Sequence, residues 1–316
     1  MPRRLRVLTW HVHGNYLYYL TQTPHDFFVL WQPGEPPGYA GARGALPWGS
    51  NVHEQPVATL HGARYDCVLY QSAAHWARDR RTLLDDAQQR LPAIVLEHDP
   101  PQAHPTDTRH PVQDANALLV HVTPFNALMW DSGITPARVI EHGVMVPDAV
   151  RYRGDLARGL AVVNNLARRG RRLGADVYAR LADKVPLELV GMNATEAGGR
   201  GEIPNPELPA FMARHRFLFN PIRYTSLGLA VIEAMMVGLP VVGLATTELA
   251  TVVRNGVEGW LATDPDALLP VMHQLLDDPA LARDWGEAAR RRARERFGIA
   301  RFTTDWDRAL REVTGC

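Results

Sequence analysis

Residues 225–242 read T-S-L-G-L-A-V-I-E-A-M-M-V-G-L-P-V-V. One carboxylate, Glu233, stands in an otherwise apolar helical pattern that opens on a small turn containing Gly228. An ionised Glu in a packed apolar element is costly unless good hydrogen-bond donors meet it. The helix start at 226–228 offers backbone N–H groups and a positive dipole end, both suited to phosphate. A ligand with hydroxyls and a phosphate satisfies both demands. Gly238-Leu239-Pro240 then ends the helix and Val241-Val242-Gly243 begins a short buried strand, the step expected in a parallel sheet.

Outward from this stretch, short apolar runs at 160–163, 187–190, 217–220, 241–244 and 259–261 alternate with helical patterns, one of them running from the first strand to about 183. Helices are expected over 265–277, 280–297 and 301–313. An earlier series of strands at 6–10, 27–31, 67–70, 94–96, 118–122 and 139–140 has the same α/β cadence. Between the two, around 145–154, the periodicity lapses. Two irregular stretches, 33–49 and 100–111, are long enough to suggest functional loops. At 316 residues the chain has room for two domains of about 150 residues each.

The 225–242 stretch resembles the donor-binding signature of GT-B glycosyltransferases, especially family 4, usually E-x-F-G-L-x-x-x-E-A-M-A-x-G-x-P-V-V. The matching residues are Gly228, Leu229, Glu233, Ala234, Met235, Gly238, Pro240, Val241 and Val242, with Leu227 in place of the Phe. The resemblance implies an α/β chain of GT-B architecture, two Rossmann-like domains facing across a cleft. Residues 1–146 would form the acceptor-side domain, completed by a terminal helix at 298–316, and 147–297 the nucleotide-sugar domain. Glu141-His142-Gly143-Val144 resembles the N-G-V-D that closes the family's first domain, with His142 for Asn. The reaction implied is metal-independent, retaining transfer of a hexose-type sugar from a nucleotide-diphosphate donor to an unknown acceptor, with no cofactor.

The resemblance assigns roles residue by residue. Glu233 would hold the ribose hydroxyls, and Ser226, Leu227 and Gly228 would offer backbone N–H groups. Thr225 stands where the family places a second Glu against the donor sugar, and it brings hydrogen bonds but no charge. After the second domain's first strand comes N-N-L-A-R-R-G-R-R, where family members read G-R-L-x-x-x-K-G. Arg169 or Arg168 would then stabilise the leaving diphosphate, by the preorganised electrostatics of an oxyanion hole; Asn165 or Asn164 replaces the family's Arg. In the first domain, His98 ends the strand A-I-V-L-E-H and matches the family's sugar-facing His. Gly14 matches the glycine after the first strand, where a missing Cβ lets the backbone approach a ligand.

Composition narrows the alternatives. Basic and acidic residues balance at 34 each, so no global field points to nucleic acid or an anionic membrane. Two cysteines, Cys67 and Cys316, make a disulfide framework improbable. With no apolar run of membrane-spanning length, a cytoplasmic protein is expected, peripheral membrane contact aside. Eleven of thirteen histidines precede residue 143, and His11-x-His13 with Glu97 and Asp99 raises a rival, a metal-dependent hydrolase. A second rival is a non-catalytic GT-B-like nucleotide- or sugar-binding protein, since charges are missing at Thr225 and at Asn164 or Asn165. Asp264-Pro265-Asp266 spells D-x-D but reads as helix capping. Tyr16, Tyr18 and Tyr19 read as core or interface.

Overall fold

A computed structural model of the chain describes residues 3–44 and 46–316. It divides into two compact units. The first runs to Gly143 and takes in Ile299–Cys316; the second is Val144–Gly298.

In the first unit the strands are β1 (Arg6–Thr9), β2 (Asp26–Trp31), β3 (Val52–Pro56), β4 (Cys67–Tyr70), β5 (Ala93–Glu97), β6 (Ala117–His121) and β7 (Ala137–Val139). Among the described residues they form one parallel sheet in the order β3-β2-β1-β4-β5-β6-β7. The central strands are apolar runs such as C-V-L-Y, buried on both faces as parallel strands must be. Strand β3, V-H-E-Q-P, has no such run and is absent from the expected strands. It lies at the sheet edge, where polar residues and a terminal proline are tolerated. Helices α1 (Gly14–Leu20), α2 (Arg80–Thr82) and α3 (Pro124–Met129) connect these strands, with a π-helical turn at His75–Asp79 before α2.

The second unit carries β8 (Gly159–Val162), β9 (Leu187–Val190), β10 (Phe217–Asn220), β11 (Val241–Leu244) and β12 (Gly259–Ala262), parallel in the order β12-β11-β10-β8-β9. Its helices are α4 (Leu166–Leu173), α5 (Ala175–Ala182), α6 (Leu208–Met212), α7 (Leu229–Val237), α8 (Leu249–Val252), α9 (Leu269–Asp277) and α10 (Pro279–Phe297). The single helix expected up to residue 183 is broken in two. Gly170 leaves helical geometry (φ 52°, ψ −135°) and Gly174 is left-handed (φ 82°), so the chain turns between α4 and α5. A Cβ at Gly174 would lie 2.0 Å from the Pro221 carbonyl oxygen, so only glycine admits this approach.

The last helix, α11 (Ile299–Thr314), belongs to the first unit. Phe302, Trp306, Ala309 and Leu310 form its buried stripe. The Trp306 indole donates to the Tyr16 hydroxyl at 3.1 Å, and the Phe302 ring meets Tyr16 edge-on at 5.5 Å. Tyr16 and Tyr19 are core residues, as the sequence suggested.

Candidate functional site

The second unit's sheet reverses its order between β8 and β10: from β8 the chain moves outward to β9, then returns past β8 to lay down β10, β11 and β12. Ligands of open α/β sheets bind beyond the carboxyl ends of the strands at such a reversal. Two loops leave this place, 163–165 after β8 and 221–228 after β10. Thr225, Ser226, Leu227 and Gly228 all lie on the second, and Arg168 and Arg169 ride on α4, directly after the first.

The 221–228 loop is fastened to the α4–α5 corner. The Arg172 carbonyl accepts from the N–H groups of Arg223 (3.0 Å) and Tyr224 (3.2 Å), while the Arg172 guanidinium donates to the Tyr224 carbonyl at 3.1 Å. Arg223 grips Asp176 with both terminal nitrogens, at 2.6 and 2.8 Å, and this pairing holds the Asp176 carboxyl below its ordinary range. The loop then hands over to α7 at Gly228. No side chain caps that helix start among the described residues, and a Cβ at Gly228 would meet nothing within 4 Å. In the first turn the Val231 N–H bonds back to the Gly228 carbonyl at 3.1 Å, and the N–H groups before it carry no side-chain cap. One turn further in, Glu233 is 2% exposed within the run Val231–Val237, which is buried throughout.

The two arginines differ. Arg168 is clamped by Glu196, its Nε 3.0 and 2.9 Å from the two carboxylate oxygens, and that hydrogen bonding lowers the Glu196 pKa. Arg169 is exposed, and among the described residues its guanidinium has no partner; it directly precedes the left-handed Gly170. Asn164 and Asn165 stitch the β8 loop to the β9 loop. The Asn164 side-chain oxygen accepts from the Met192 N–H at 2.9 Å, and Asn165 Oδ1 accepts from the Asn193 amide at 2.7 Å. Asn165 and Asn193 are both left-handed (φ 57° and 56°), a conformation asparagine tolerates.

The first sheet reverses between β1 and β4. At that end, His98 donates from Nε2 to Gln71 Oε1 at 3.3 Å, Gln71 Nε2 donates to the Thr9 hydroxyl at 3.0 Å, and Thr9 donates to the Leu69 carbonyl at 2.9 Å. This relay leaves His98 Nδ1 as the acceptor nitrogen. His13 lies 4.1 Å away by ring centroids, and Tyr16 meets His98 edge-on at 4.9 Å. Burial, then the neighbouring His13 and His142, push the His98 pKa well below the ordinary histidine value, so the ring is neutral. The Asn126 amide holds the His98 carbonyl at 3.1 Å, fixing the strand end to α3. Gly14 opens α1, and a Cβ there would lie 2.9 Å from His11 Nε2.

The hydrolase ligand set is not gathered. His11 Nδ1 lies 2.7 Å from the Gly41 carbonyl, and Glu97 turns to His110 at 3.2 Å. Among the described residues no three His, Cys, Asp or Glu side chains are placed to share a metal ion. Asp264 caps the following turn by accepting from the Asp266 N–H at 3.0 Å. Sequence reasoning missed Gln71, although it is the first polar residue after the apolar β4 and so stands where a site residue belongs.

Residues 179–278 match the family model of glycosyl transferases group 1. This segment resembles a glycosyl transferase group 1 domain. The chain is 39% identical over 79 residues to D-inositol 3-phosphate glycosyltransferase 1 of Catenulispora acidiphila, covering 24% of this chain and 19% of that protein. It is 32% identical over 123 residues to an MMP alpha-(1->4)-mannosyltransferase of Mycolicibacterium hassiacum, covering 36% and 29%. The matches thus span less than a third of each of these curated relatives. Among solved structures, sucrose-phosphate synthase from Thermosynechococcus elongatus superposes with a TM-score of 0.70 at 16% identity, covering 99% of this chain and all of that one. The Anabaena protein HepE in complex with UDP-glucose gives 0.63 at 12% identity over 98% and 100%. The fold is GT-B. Within the matched segment fall α7, with Glu233, and the loop that carries residues 225–228.

Proposed function

We propose that the protein is a glycosyltransferase that takes a sugar from a nucleoside-diphosphate donor and passes it to an unknown acceptor, without a metal and with retention at the anomeric carbon. The observation that carries this reading is the uncapped start of α7, fixed at the reversal of the second sheet with buried Glu233 one turn behind it. The glycosyl transferase group 1 match across the same residues and the HepE complex with UDP-glucose support it.

In this reading the N–H groups of Ser226, Leu227 and Gly228 receive the diphosphate, Glu233 takes the ribose hydroxyls, and Thr225 hydrogen-bonds the sugar or its phosphate. Arg169, rather than the Glu196-bound Arg168, meets the charge that grows on the leaving diphosphate. Its attraction strengthens toward the transition state, as negative charge builds on the diphosphate. In the first unit, neutral His98 is assigned hydrogen bonding to the sugar and Gly14 a close backbone approach.

The test is calorimetric titration of wild type and Glu233→Ala with a panel of nucleoside diphosphates and their sugar conjugates in the presence of chelator. A diphosphate that binds the wild type and loses about 1.5–3 kcal/mol in the variant, the worth of hydrogen bonds to a charged group, supports the donor site. Unchanged affinity would remove the ribose assignment, and a requirement for metal would remove the metal-independent mechanism. A second reading, nucleotide binding without transfer, is favoured by Asn164 and Asn165, which fill the family's Arg position with loop-stitching amides. Hydrolysis of a donor sugar by wild type, abolished in Arg169→Ala, decides against it.

A further inference from the structure

At the β1–β4 reversal the first unit holds a cavity of about 330 Å³, within the size range of small-molecule sites, about 300–1,000 Å³. Its polar lining comes from His11, Glu35, Ser72 and His75, and the rest is apolar or backbone, including Val12 and the Pro36-Pro37 pair.

The cavity wall is built rather than draped. The loop after β2 is pinned by the His11 N–H to the Gly38 carbonyl (3.0 Å), by the Gln32 N–H to the Tyr39 carbonyl (3.1 Å), and by the Tyr39 hydroxyl to Asp79 (2.5 Å). His75 opens the π-helical turn, an irregularity frequent at functional sites. Its ring stacks on Trp10 at 5.0 Å and is 7% exposed. Glu35 takes a left-handed backbone (φ 45°), unusual for a residue with a side chain and costly to hold.

The charge pattern selects the ligand. Among the described residues no lysine or arginine lines the cavity. Arg43 donates to Glu35 at 2.7 Å and to Glu54 at 3.1 Å, so its charge is spent on two carboxylates and not offered to an anion. Glu35, already paired, has little net attraction for an ammonium but keeps lone pairs for hydroxyl donors. Ser72 accepts from the His75 N–H at 3.3 Å, which leaves its own hydroxyl proton to give.

We propose that this cavity binds an uncharged, hydroxyl-rich ring, a pyranose or cyclitol without phosphate, with Glu35 and Ser72 as its hydrogen-bonding anchors and the Trp10-stacked ring of His75 as part of its wall. Naming that ring the sugar acceptor rests on the transferase reading; the binding chemistry does not.

Methyl α-glucopyranoside, myo-inositol and glucose 6-phosphate are titrated against the whole protein and observed by ligand-detected NMR, with Glu35→Gln and the cavity-filling Ala40→Leu as variants. Near-ultraviolet circular dichroism checks that both fold. At least one neutral ring should bind, at least about tenfold tighter than the phosphate ester, weaken about tenfold in Glu35→Gln and vanish in Ala40→Leu. Preference for the phosphate ester, binding indifferent to both folded variants, or no neutral ring bound by wild type would overturn the proposal. Nucleoside diphosphate binding, followed in parallel, separates the two readings. Ring binding without nucleotide binding would leave the cavity standing and remove the transferase; nucleotide binding without ring binding would do the reverse.

Discussion

Nε2 of His98 lies 3.3 Å from Oε1 of Gln71, and the Gln71 amide nitrogen is spent on Thr9, so the amide can only accept from the imidazole. One tautomer of a neutral ring is thereby selected. Gln71→Glu would set a carboxylate beside that nitrogen and favour the imidazolium, against the burial that now holds the pKa down. The His98 pKa should rise in the variant, read by NMR titration of the ring protons. If neutral His98 is what the sugar meets, donor turnover should fall as the ring protonates, so Gln71→Glu should move the acid limb of the pH profile upward. An unchanged limb would remove His98 from the chemistry.

Neighbouring arginines make a second comparison. Arg169→Ala should lower kcat for donor hydrolysis about 10²-fold or more, the loss typical of one preorganised charge-stabilising group, and should also weaken nucleoside diphosphate binding, since the released diphosphate carries that charge in full. Arg168→Ala removes a largely exposed ion pair with Glu196 and should change kcat by less than about fivefold, since such pairs contribute about 1 kcal/mol or less. Steady-state kinetics of both variants test this, and the reverse ranking would move the role to Arg168.

Gly174 is where the 221–228 loop rests on the α4–α5 corner. Gly174→Ala would both strain a left-handed backbone and push a methyl against the Pro221 carbonyl, 2.0 Å away. The loop carrying 221–228 must move or the helix start must shift. A loss of about 1–3 kcal/mol in stability is expected from urea midpoints, with weaker nucleoside diphosphate binding. Gly198→Ala, equally left-handed but with nothing within 4 Å, should lose stability and leave that binding unchanged.

The core of this architecture is legible because buried parallel strands such as V-V-G-L and F-L-F-N have nowhere to place polar side chains, and so announce themselves. Glu233 is legible for the converse reason, a charge where burial forbids one without donors. What escapes reading depends on long-range geometry. Strand β3 looks like a loop because an edge strand needs no apolar face. Arg168 and Arg169 are adjacent and chemically identical in sequence, and only the position of Glu196, 28 residues from Arg168, tells them apart. The Glu35–Ser72–His75 wall draws on residues from two separated segments, neither carrying a motif, and only the strand reversal brings them to one end of the sheet.

Acid should loosen the first unit before its carboxylates titrate. Burial lowers the pKa of His75 and of His121 from 6.5 to about 4, and a group with a depressed folded pKa binds fewer protons in the native state than in the unfolded chain. Stability therefore rises with pH between about 4 and 6.5 and is flat with respect to these groups above that window. At pH 5 each ring costs about 2 kcal/mol relative to pH 7 by this linkage, so the pair should remove roughly 4 kcal/mol. His121 reaches Ser132 only at 3.4 Å through Nε2, and its Nδ1 has no partner, so His121→Leu sacrifices little bonding at neutral pH. Urea unfolding at pH 7 and pH 5 should show the wild type losing stability on acidification and His121→Leu losing about 2 kcal/mol less, His98 and His25 being depressed in both proteins. Equal losses in the two proteins would mean that His121 is protonated as readily in the folded state as in the unfolded one.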